Sequence, residues 1–133
     1  MKLRRDQIEQ VVKEYLITHR EIVFAYLFGS VAESDSFEDI DVGVFVSGSE
    51  RTIDWLGYAL ALSGDLERIV RCRVDVIVMN TAPDHLIHNI SKGIVVVNND
   101  DDARIEFITA AWSRYFDFAP KRQQWLDEVV GVP

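Results

Sequence analysis

The sequence predicts an α/β (α+β) domain, a small mixed β-sheet with helices packed on one face and a polar site left open on the other. Four β-branched and aromatic runs, at 22–28, 39–46, 73–79 and 93–97, have the composition of strands. Apolar residues between and around these runs recur at helical spacing. Two of the runs carry Asp among aliphatic neighbours, so one face of the sheet is acidic and the other greasy.

Ile8, Val11, Val12, Tyr15 and Leu16 predict an amphipathic helix over about 5–19. The run Ile22 to Phe28 stops abruptly at Gly29-Ser30, which reads as a strand entering a tight turn. Residues 31–38 are mostly small or acidic and read as a loop before the strand Asp39 to Val46. With Ser49 as a plausible N-cap, Trp55, Ala59, Leu62, Leu66, Ile69 and Val70 then share one helical stripe that should end near Arg71. A strand at 73–79, a turn at 80–83, a short helix at 84–91 and a strand at 93–97 follow. The tail carries two helical patterns, Ile105 to Phe116 and Trp125 to Val129, which Pro120 is expected to separate.

A chain of 133 residues, 48% hydrophobic and 27% charged, holds one core and is too short for two, so residues 1–133 are read as a single domain. With 22 acidic against 14 basic residues, a net charge of -8 and no Lys/Arg run, a nucleic-acid partner is not expected. Cys72 is the sole cysteine, which excludes an intramolecular disulfide. The start Met1-Lys2-Leu3-Arg4-Arg5-Asp6 is too polar for a signal peptide, and no apolar stretch nears the roughly 20 residues that span a bilayer. The expectation is a cytoplasmic protein with no membrane contact.

Asp39 and Asp41 stand two apart on one strand, so both carboxylates leave the same face, with Cα atoms about 6.5–7 Å apart. Gly43 continues that face and should leave room on it. Asp75 sits between Val74 and Val76, where an unpaired charge is costly unless it meets water or a cation. If the two strands are neighbours, three carboxylates converge into the hard oxygen environment that Mg²⁺ prefers, and a two-metal site is reasonable. The Gly29-Ser30 turn offers backbone N–H groups and a hydroxyl to phosphate oxygens. Turn and carboxylates together predict phosphoryl transfer from a nucleoside triphosphate.

Leu27-Phe28-Gly29-Ser30, a loop, and then Asp39-Ile40-Asp41-Val42 resemble the signature of the DNA polymerase β-like nucleotidyltransferases, with Asp75 similar to their third carboxylate. The length, the early motif and the stretches Asn80-Thr81-Ala82-Pro83 and Ile90-Ser91-Lys92-Gly93 resemble the minimal nucleotidyltransferases (MNT), antitoxins of HEPN/MNT toxin–antitoxin pairs. The resemblance implies Gly29 and Ser30 holding ATP, Asp39, Asp41 and Asp75 as catalytic metal ligands for Mg²⁺, and transfer of AMP to a tyrosine of a cognate HEPN ribonuclease toxin. The chain departs from the family in a shorter loop and in Val31-Ala32-Glu33 where an Arg often follows Gly-Ser. Two other functions stay open: an antitoxin that acts by binding alone, and transfer to a small aminoglycoside-type acceptor, which the charge of -8 would suit.

His85 and His88, three apart on a helix, have no Cys or further His beside them and read as solvated or capping residues. Cys72, between two arginines, reads as structural. Trp112, Tyr115, Phe116, Phe118 and Trp125 make the tail richer in aromatics than a small core needs, so a partner surface is considered there beside a core role.

Overall fold

A computed structural model describes residues 3–34, 37–48 and 54–130, with side chains described as far as residue 117. Helix α1 (Arg5–Ile17) buries Ile8, Val12 and Leu16, the stripe its periodicity predicts. Strand β1 (Ile22–Phe28) runs into Gly29, and a one-turn helix α2 (Ser30–Glu33) occupies the start of the stretch expected to be a loop. Strand β2 (Asp39–Val46) has the predicted bounds. Helix α3 (Trp55–Val70) is capped by Asp54, whose carboxylate accepts the Gly57 N–H at 3.0 Å; Ser49, the cap expected from sequence, lies outside the described residues. The helix ends where Arg71 takes a left-handed φ of 58°.

Strand β3 (Arg73–Val78) leads through a 3₁₀ turn (Met79–Thr81) to α4 (Asp84–Ser91), β4 (Ile94–Asn98) and α5 (Asp101–Val130). Pro120 does not divide the tail: α5 is one continuous helix, against the expectation of two. Proline removes a single backbone bond and strains one turn, and a long helix can carry that loss.

The sheet order is β3-β2-β1-β4, with β2 and β3 parallel and the other pairs antiparallel, so the sheet is mixed as expected. Helix α3 makes the crossover that a parallel pair requires. It also covers the outer edge of β3, where Ser63 Oγ and Glu67 Oε2 accept the Val76 and Val74 N–H groups at 3.1 and 3.0 Å. Asn80 closes the end of β2, donating to the Val46 carbonyl at 2.7 Å and accepting its N–H at 2.9 Å.

Two cores flank the sheet. On one face Ile40, Val42, Val44, Val74 and Leu27 pack with α1 and α3. On the other, Phe24, Tyr26 and Phe28 pack with Met79, Ile87, Ile90 and Ala111. Helices confined to one face therefore describes α1 and α3 only, because α4 and α5 cover part of the second face. The cause lies in β1, whose unbroken apolar run needs cover on both sides. Gly43 is part of this: a Cβ there would meet Ile90 Cγ2 at 2.9 Å and Met79 Sδ at 3.2 Å, so the room it leaves is filled by α4 and not by a ligand. Among the described residues no helix is long and apolar enough to cross a membrane.

Candidate active site

Beyond the cover of α4 and α5, the second face of the sheet is acidic. The parallel register of β2 and β3 sets Asp39 opposite Arg73 and Asp41 opposite Asp75. Neighbouring strands lie about 4.8 Å apart, so Asp41 and Asp75 are direct neighbours and Asp39 projects beside them on the same face. All three carboxylates singled out from sequence are brought to one patch. On its other side Asp41 pairs with the buried Phe28, the last residue of β1.

Gly29 completes the patch. It follows Phe28 with φ 72° and ψ -151°, a backbone conformation that a residue with a side chain rarely adopts. A Cβ on Gly29 would stand 2.5 Å from Asp41 Oδ2. The glycine therefore lets the main chain pass against the Asp41 carboxylate, and Ser30, exposed, begins α2 immediately beyond. Turn and carboxylates are joined through this one contact.

Asp41 is half-buried, and burial raises its pKa above the usual aspartate range, reinforced by the charges of Asp75 and Asp39 and opposed by Arg73. Such a group holds its charge at a cost that a cation would remove. Arg73 is the cation present, its Nε 3.7 Å from Asp75 Oδ1, with both side chains well exposed. Among the described residues no three acidic, His or Cys side chains are gathered closely enough to hold a metal ion by themselves. The donor chemistry nonetheless fits a hard divalent cation: oxygen ligands, mutual repulsion and a glycine that clears one carboxylate oxygen. Asp39, Asp41 and Asp75 are the residues that could hold it.

Arg73 is the residue that sequence reasoning missed at this patch. Its signal was available, since it precedes Asp75 by two on the same strand and so shares its face.

The other candidates lie elsewhere. His88 is held between aromatic rings, stacked on Tyr115 with centroids 4.5 Å apart and 4.4 Å from Trp112; burial and then Lys92 lower its pKa. His85 is exposed. Trp112 donates its indole N–H to Ser91 Oγ at 2.7 Å, which ties it into the α4–α5 contact, while Phe116 is 52% exposed. The Phe118 and Trp125 side chains lie outside the described residues. Cys72 is half-buried beside the Val70 carbonyl, a structural position.

Comparison with known proteins gives two findings. The family model "Polymerase beta, Nucleotidyltransferase" matches residues 10–102. Solved structures share the fold: a tri-AMPylated Shewanella oneidensis HEPN toxin in complex with MNT antitoxin matches with a TM-score of 0.69 and 19% identity, over 92% of this chain and 98% of that one. A toxin–antitoxin complex, MntA-HepT, matches with a TM-score of 0.68 and 19% identity, over 91% and 98%. A toxin–antitoxin structure with AMP-PNP matches with a TM-score of 0.69 and 20% identity, over 89% and 96%. A search of curated proteins gave no match.

Proposed function

This chain belongs to the polymerase beta nucleotidyltransferase family, and we propose that it is an MNT-type antitoxin that transfers AMP from ATP to a tyrosine of a cognate HEPN toxin. The observation that carries this reading is the register that opposes Asp41 to Asp75 beside the Gly29 turn. The likeness to structures of an AMPylated HEPN toxin with MNT antitoxin, and of a toxin–antitoxin with AMP-PNP, supports the choice of acceptor and nucleotide.

In this reading the Gly29 and Ser30 backbone and the Ser30 hydroxyl receive the triphosphate. Asp39, Asp41 and Asp75 would hold Mg²⁺, which neutralises the triphosphate when bound. Asp75 would hold the second metal or accept the proton of the incoming tyrosine hydroxyl. The hydroxyl oxygen bonds to the α-phosphorus, the α–β phosphoanhydride bond breaks, and pyrophosphate leaves. The function is exercised in the cytoplasm, where the toxin would act.

One observation favours a second reading. Arg73 pairs with Asp75 within the chain, Nε to Oδ1 3.7 Å, an arrangement that a fold silencing its toxin by contact alone can keep without a metal. The deciding experiment incubates the protein, Mg²⁺ and ATP labelled at the α-phosphate with the partner that co-purifies. Label on the partner supports transfer; a tight complex without label supports binding alone.

A further inference from the structure

Helix α3 is apolar on the wrong side. Its inner stripe, Ala59, Leu62, Leu66 and Val70, is buried against the sheet, as a surface helix requires. Its outer face carries Gly57, Leu60, Ala61 and Gly64, and the charge on it is supplied at the C-terminal end by Arg68, which is ion-paired with Asp65. Leu60 is 62% exposed and Leu56, on the flank, 71% exposed. Between Asp54 and Arg68 the outer face is thus an exposed apolar stretch, which a partner can cover.

Gly64 adds a separate pointer. Glycine is the poorest helix former after proline, so one in mid-helix needs a reason. Gly57 has an internal one, because a Cβ there would meet Asp54 Oδ2 at 2.4 Å and displace the cap. Gly64 has none: a Cβ there would meet only Arg68 Nη1, at 3.8 Å. A glycine here leaves the helix backbone open to close approach by a second helix.

We propose that the outer face of α3 is a self-association surface, on which α3 of a second copy packs antiparallel about a two-fold axis near Ala61. Self-complementarity identifies the occupant. The helix begins at the exposed Asp54 and ends with the exposed Arg68 and Arg71, so an antiparallel copy sets each acidic end against a basic one and opposes the helix dipoles. Gly57 and Gly64 stand one heptad apart with Leu60 and Ala61 between them, a spacing that keeps one seam facing a partner helix. The face also lies on the side of the sheet opposite Asp39, Asp41 and Asp75. A second copy seated there leaves both carboxylate patches open, whereas a protein presenting an acceptor hydroxyl could not reach them from that side.

Sedimentation of the purified full chain at tens of micromolar should give about 30 kDa, twice the 15.2 kDa of the chain. Leu60→Glu, a surface change, should halve that mass with the circular dichroism spectrum unchanged. Ala61→Cys in a Cys72→Ser background provides a second reading that does not depend on disrupting the face. Mild oxidation should convert it to a covalent dimer, and the Cys72→Ser protein alone should stay monomeric. A monomeric wild-type chain, or an Ala61→Cys protein that does not cross-link, overturns the proposal; so does a face that only a different protein occupies.

Discussion

On one face of the sheet, Ile40, Val42 and Val44 of β2 are sealed under α1 and α3; on the other, the same strand presents Asp39, Asp41 and Gly43. The first face is packed throughout. The second is divided, with α4 and α5 covering Phe24, Tyr26 and Phe28 and stopping at Gly43, so that the carboxylate end is left uncovered. The difference teaches where stability and chemistry separate within one strand: successive residues, about 3.3–3.4 Å apart along the strand, serve unrelated purposes. Substitutions on the two faces should therefore fail in different ways.

The largest effect is expected at the carboxylates. Asp39→Asn, Asp41→Asn and Asp75→Asn should each lower nucleotidyl transfer on the order of 10³-fold or more, while the proteins stay folded. Turnover measured with labelled ATP, beside a melting curve, checks both halves. Wild-type turnover by any of the three removes that residue from the site.

Gly29→Ala should follow, with a loss of about 100-fold, because the added Cβ meets Asp41 Oδ2 and must move it. Its left-handed φ adds strain, of order 1–2 kcal/mol in stability. A fully active Gly29→Ala protein would mean that turn and carboxylate are not coupled. On the opposite face, Ile40→Ala should cost about 3 kcal/mol by denaturant unfolding and leave the transfer rate per folded molecule near wild type.

How much of this could be read beforehand follows from what each residue interacts with. The strand bounds at Ile22–Phe28 and Asp39–Val46 and the end of α3 at Arg71 were legible because local composition and periodicity set them. So was the sharing of one face by Asp39 and Asp41. The pairing of Asp41 with Asp75 was legible only as a condition, since register between strands is a tertiary property. Gly43 misled for the same reason: its empty side is filled by Ile90, which is 47 positions further along the chain by the numbering of the two residues. Pro120 misled because proline's local cost does not decide whether a long helix continues.

The smallest expected effect is electrostatic. The raised pKa of Asp41 in the folded chain means that its contribution stabilises below the ordinary aspartate pKa and is lost as pH rises through the folded value. In metal-free protein, the stability of Asp41→Asn relative to wild type should therefore increase as pH rises across that window, and then level off. Melting curves in chelator over a pH series read this directly. Asp75→Asn should bring the Asp41 titration, followed by carboxyl ¹³C NMR, back toward the usual range. An Asp41 titration indifferent to Asp75 would break the pairing that the register implies.

The central claim is that the acidic end of the sheet transfers a nucleotide to a protein docked over it. Intact-mass spectrometry of the proposed HEPN-type partner, after incubation with this chain, ATP and Mg²⁺, tests it most directly. The partner should gain roughly 329 Da for each AMP transferred with wild-type protein, and nothing with Asp41→Asn. A partner of unchanged mass in a tight complex with the wild-type chain would contradict transfer, and leave this fold as an antitoxin that works by contact.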